Sequence, residues 1–135
     1  MRKQAEKTTY PDVHIAFDGS AVTAVTARFP DRTRVDVPVE GLGESFGRTA
    51  AKVLDWWILD QQAKDCFVFG EPLVERECVS SIKLMLFYEG VWVVSVDESC
   101  RGGTRTVLVE GSAMRAAVDE LVAGVQRAVH ELAER

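Results

Sequence analysis

The same local plan is written twice along this chain: a β-hairpin, a third strand, then an amphipathic helix. Residues 13–61 carry the first copy and residues 82–132 the second, with an insert at 63–80 between them. The best local echo sets Val37-Pro38-Val39-Glu40-Gly41 against Val107-Leu108-Val109-Glu110-Gly111, each run leading into a helix. A pseudo-duplicated βββα plan has few ways to bury its apolar surface. The strands pair into one antiparallel, twisted sheet of about six to eight strands, and the helices cover one face of it. The expected class is α+β, and the length fits one domain over residues 1–135.

In the first copy, Val13, Ile15 and Phe17 recur at period two and run into Asp18-Gly19, a hairpin signal. Ala21–Phe29 returns, Pro30-Asp31 turns the chain, and Val35, Val37 and Val39 alternate with polar residues. Pro38 sets that third strand at an edge or near a strand end. A helix over 45–61 follows, with Ser45 as its N-cap and a stripe of Phe46, Ala50, Val53, Leu54, Trp57 and Ile58. Trp56 lies about 110° from the centre of that stripe, and Leu59 nearly opposite it. The insert predicts a short strand at Cys66–Phe69 and another at Leu73–Val79.

Ile82–Tyr88 is the strongest β signal, and Glu89-Gly90 turns it into Val91–Asp97. A two-residue turn places Leu86 opposite Val93 on one face, and Phe87 with Trp92 and Met85 with Val94 on the other. Both faces of this hairpin are then apolar over most of its length. Thr104–Glu110 is the last strand, and Ser112 caps a helix over 112–133. Its stripe is Met114, Val118, Leu121, Val122, Val125, Val129 and Leu132. Gly124 weakens the helix by about 1 kcal/mol relative to Ala, which a close backbone contact there would account for.

The element order resembles two known families. One is the whirly and Pur-type single-strand nucleic-acid binders, which duplicate a plan of four strands and a helix. The other is the secretion-chaperone-like proteins, which are small, acidic, usually dimeric and bind other proteins. The likeness covers most of the chain in element order, without a shared motif, so no site residue is carried over from either.

Charge and motifs narrow the function by exclusion. A net charge of -5 argues mildly against a phosphate-tracking surface and suits a soluble protein or one whose partner is basic. Cys66, Cys78 and Cys100 form no C-x-x-C pair and read as reduced thiols of a cytoplasmic protein. The amino-terminal residues lack the apolar stretch of a signal peptide, and no apolar run is long enough to span a membrane. Ser99-Cys100-Arg101-Gly102-Gly103 superficially resembles the cysteine-protease signature of the caspase clan over three residues. His14 and His130 lie 86 residues before and 30 after Cys100, whereas that family places its base about 50 residues upstream. No cofactor cradle or metal-ligand spacing is present.

The leading expectation is a non-catalytic protein-binding module of chaperone, inhibitor or immunity type, acting as a homodimer or other homo-oligomer. Its contact surface is expected at Trp56, Leu59, Met85, Phe87, Trp92 and Val94, apolar groups left over once both helix stripes are filled. The alternative is single-strand nucleic-acid binding. There Arg28, Arg32, Arg34, Arg101 and Arg105 would steer the backbone while Trp92 or Phe87 stacks bases.

Overall fold

A computed structural model of the chain describes residues 10–19, 21–68, 79–87, 91–98 and 103–134; the side chains of 61–68, 87 and 98 lie outside that description. The strands are β1 (Asp12–Asp18), β2 (Ala21–Arg28), β3 (Arg34–Val37), β4 (Val79–Phe87), β5 (Val91–Glu98) and β6 (Gly103–Leu108). Helix α1 (Glu44–Val68) follows β3, and α2 (Ser112–Ala133) follows β6. The described strands form one six-stranded antiparallel sheet in the order β3-β2-β1-β4-β5-β6. The class is α+β. Each three-stranded meander is followed by a helix, and the two meanders meet through their first strands, an arrangement compatible with a duplicated βββα plan.

Period-two alternation sorts the two faces, interrupted by bulges at Ala16/Phe17 and Val79/Ser81. On one face Val37, Val25, Ile15, Ile82, Val96 and Arg105 stand side by side across the whole sheet. The next row of that face is Val35, Ala27, Val13, Leu84, Val94 and Val107. Both helices pack here. The α1 stripe expected from sequence is buried throughout, from Phe46 to Ile58. In α2 the buried stripe is Ala117, Val118, Leu121, Val122, Val125 and Ala128, with Met114 and Val129 partly buried beside it. Burying a side chain of this size contributes about 1.5–3 kcal/mol, so the two stripes hold the layers together.

Helix α2 crosses the sheet obliquely. Near its start, the Trp92 indole N–H of β5 donates to Asp119 at 2.6 Å. Near its end, Ala128, Glu131 and Leu132 line a groove with Pro38, Glu40 and Gly41, just beyond β3. A helix of 22 residues is about 33 Å long, enough to reach across six strands at about 4.8 Å spacing.

The structure departs from the sequence expectation in five places. Helix α1 continues to Val68, so Cys66–Val68 is helical rather than a strand. β4 already begins at Val79, and residues 69–78, where the other insert strand was expected, lie outside the described residues. Neither serine acts as the expected cap: Glu44 and Ser112 are the first helical residues, and Gly111 holds the N-cap position of α2 without a side-chain cap. The entry to each helix is made by a glycine in the left-handed region, Gly43 at φ 87° and Gly111 at φ 94°.

The fourth departure has the largest effect. Phe87 pairs with Val91, so three residues rather than two separate the paired positions. Leu86 therefore faces Trp92 and Met85 faces Val93. A one-residue slip moves a whole set of side chains to the other face. Here it carries Trp92, Val94 and Val96 inside and leaves Val93, Ser95 and Asp97 on the open side. The two-residue turn would have pressed Ser95 and Asp97 against the core, so desolvation favours the observed register.

Gly124 does not serve a close backbone approach. A Cβ there would sit 3.7 Å from Cδ2 of the Phe46 side chain, an ordinary contact. Gly124→Ala is therefore expected to raise stability by about 1 kcal/mol through helix propensity, read as a higher urea midpoint. Asp119→Ala leaves the Trp92 indole N–H without its acceptor and is expected to lower stability by about 1–3 kcal/mol in the same measurement.

Candidate functional site

The face of the sheet away from the helices is a grid of mostly polar side chains. One row reads Asp36, Thr26, His14, Lys83, Ser95 and Thr106 from β3 to β6. The next reads Ala24, Ala16, Ser81, Asp97 and Thr104. Cross-strand hydrogen bonds knit it together: Thr26 to Asp36 at 3.2 Å, Thr104 to Asp97 at 2.9 Å, and Thr106 to Ser95 at 3.1 Å.

His14, Ser81 and Asp97 meet in this grid, a grouping the sequence does not reveal because the three residues are far apart along the chain. Ser81 Oγ donates to Asp97 Oδ2 at 2.9 Å, and His14 Nε2 lies 3.0 Å from Ser81 Oγ. The carboxylate can only accept, so the single hydroxyl proton belongs to that bond. The imidazole must then donate from Nε2, leaving Nδ1 bare. This order is not that of a hydrolytic triad, where the histidine stands between serine and carboxylate and takes the serine's proton. Here the serine is the bridge, and its hydroxyl is not activated by the imidazole. The arrangement ties β1, β4 and β5 together.

A cleft of about 370 Å³ opens beside His14, lined by Asp12, Thr26, Arg28, Arg34, Lys83 and Asp97. Arg28 and Arg34 are direct cross-strand neighbours, and Arg34 Nε contacts Asp36 at 3.4 Å. Arg32 sits in the β2–β3 turn at φ 74° and lines a second cleft with Tyr10 and Phe29. Of the five arginines expected to act together, the four described ones are dispersed. Arg28 and Arg34 share the open face, and Arg105 lies on the helix side of the opposite edge strand, about 24 Å from Arg34 across the sheet. Arg101 lies outside the described residues, as does Cys100. Trp92 is only 4% exposed, on the helix side with its N–H committed to Asp119, so it offers no surface for stacking a base.

The expected partner surface also separates. Trp92 and Val94 are core residues, 4% and 0% exposed, because of the register shift. Trp56 is half-buried and packs against the core, while Leu59, one turn along, is 63% exposed on the outside of the helix layer. Met85 stands half-buried on the open face, with the whole sheet between it and Leu59. The Phe87 side chain lies outside the described residues.

One surface the sequence reading missed is the outer edge of β6. The Val109 N–H donates inward to the Trp92 carbonyl at 2.9 Å. Backbone groups alternate in direction along an antiparallel strand, so Val107 and Arg105 also point to β5. The N–H and C=O groups of Thr104, Thr106 and Leu108 point outward, and no described strand pairs with them. Leu108 is 48% exposed and stands beside Val93 and Met85 in one row of the open face. Strand order is a long-range property, and the local sequence Thr104-Arg105-Thr106-Val107-Leu108 carries only the absence of proline as a signal. Among the described residues, no group of three His, Cys, Asp or Glu is placed to hold a metal ion. No described helix is long and apolar enough to cross a membrane.

Burial holds the His14 pKa below its ordinary 6.5; Asp97 works in the opposite direction, and Lys83, Arg34 and Arg28 add to the lowering. In the window from 6.5 down to the native value, the unfolded chain binds more protons, so this group subtracts stability as pH falls. The margin of the natural chain over His14→Gln is expected to shrink between about pH 7.5 and about pH 5.5, followed by urea unfolding at each pH. A pH-independent margin would contradict this account of His14.

No protein-family model, no curated protein and no solved structure matches this chain.

Proposed function

We propose that the chain is a non-catalytic protein-binding module that engages its partner along the outer edge of β6. The observation carrying this reading is the row of outward backbone donors and acceptors at Thr104, Thr106 and Leu108. Such an edge accepts an added strand: the main chain supplies affinity and the flanking side chains supply selectivity. Leu108, Val93 and Met85 form the apolar strip beside it.

The contrast between the two edges supports the same reading. β3 is four residues long, carries Arg34 and Asp36, and is followed by Pro38, all features that discourage pairing. β6 is six residues long, contains no proline, and keeps its one charged side chain on the helix side. A non-catalytic role agrees with the bonding of Ser81, whose proton is held by Asp97.

Amide hydrogen exchange tests the reading. In monomeric chain, the Thr104, Thr106 and Leu108 amides are expected to exchange quickly while Arg105 and Val107 stay protected. Protection of all five amides in a chain shown to be monomeric would mean that its own residues cover the edge, and would overturn the reading.

A further inference from the structure

We infer that the partner of the β6 edge is a second copy of this chain, joined through antiparallel β6–β6 pairing about a twofold axis at Thr106. The inference rests on the reading that this edge is the binding surface, and it adds the occupant and the register.

The register follows from counting the outward groups. Thr104, Thr106 and Leu108 each present one donor and one acceptor away from β5. Setting Thr106 opposite its own copy places Thr104 opposite Leu108 of the second chain, and the reverse. Every outward N–H and C=O of the strand then has a partner across the seam. The neighbouring registers do worse. A shift one way leaves Leu108 unpaired within β6 and stacks Arg105 directly against its copy, where like charges repel. A shift the other way leaves Thr104 unpaired.

Side chains agree with this geometry. A twofold perpendicular to the sheet keeps the helices of both copies on one side. Thr106 meets Thr106 on the open face, a favourable cross-strand pair, and Leu108 lies against Thr104. On the helix side Arg105 stands opposite Val107. The result is a continuous sheet with twice the six strands of one chain. Since β3 is short and bounded by Pro38, the outer ends of this double sheet are poor sites for further growth. One open edge and one protected edge give a closed pair rather than a filament.

Analytical ultracentrifugation of the full chain tests the inference, together with amide exchange at matched concentrations. The expected species has twice the 14.9 kDa chain mass, with the Thr104, Thr106 and Leu108 amides protected only in that species. Thr106→Pro removes an outward main-chain donor and no main-chain bond to β5, so the pairing of β6 with β5 is kept although the side-chain bond to Ser95 is lost. It is expected to weaken self-association by about ten- to a hundredfold. Thr106→Lys places two like charges face to face and is expected to weaken it by about tenfold or more. Circular dichroism checks that both variants fold. Thr106→Cys is expected to give a disulfide mapped to position 106 of both chains under mild oxidation, and Thr104→Cys to give no such link between its two copies.

A monomer at about 100 μM, where a specific pair with micromolar affinity would form, overturns self-pairing; rapid exchange of the edge amides there leaves the protein-binding reading standing. A monomer with those amides protected overturns both. A dimer whose affinity is unchanged in folded Thr106→Pro and Thr106→Lys overturns the inference, because its interface lies elsewhere.

Discussion

The parity of strand pairing is the constraint on which the rest of this protein depends. Apart from Arg105, the six strands place Val, Ile, Leu and Ala in two rows facing the helices because the registers from β3 to β6 keep one alternation across these rows, the bulges at Ala16/Phe17 and Val79/Ser81 lying outside them. The most consequential register is that of β4 with β5. Pairing Ile82, Leu84 and Leu86 with Val96, Val94 and Trp92 concentrates six large apolar groups on one side. It also brings Ser81 beside Asp97 and Lys83 beside Ser95 on the other, where the buried serine hydroxyls bond to Asp97 and Thr106. The hydrophobic term and the cost of burying polar groups point to the same pairing.

Much of this architecture is legible in the sequence. The α1 stripe and the span of α2 follow from their helical period, and β1 and β2 follow from alternation around Asp18-Gly19. The β4–β5 register is not legible from its turn, since Glu89-Gly90 suits a two-residue connection. It is legible in β5 itself: Trp92, Val94 and Val96 alternate with Val93, Ser95 and Asp97, which identifies the inward face. The end of α1 was hidden for another reason. Cys66-Phe67-Val68 is an apolar run too short for periodicity to separate helix from strand.

The candidate sites were less legible because they depend on strand order. His14, Ser81 and Asp97 come from three strands and meet only once β1, β4 and β5 are adjacent. The exposed edge exists because β6 ends the order, which no local pattern states. The apolar excess that pointed toward a partner is smaller than composition suggested. Two of its members, Trp92 and Val94, are used inside the protein once the register is known. What remains available for contact is main-chain hydrogen bonding with a narrow apolar border.

The oblique path of α2 has a mechanical consequence. The helix is fastened to β5 through Asp119 and lies against the Pro38–Gly41 turn at its other end, so it works as a strap across both halves of the sheet. Peeling it away exposes the apolar rows of both meanders at once, and neither half keeps a complete covering layer. The seam where β1 pairs with β4 thus shares one cover with the strands on both sides of it.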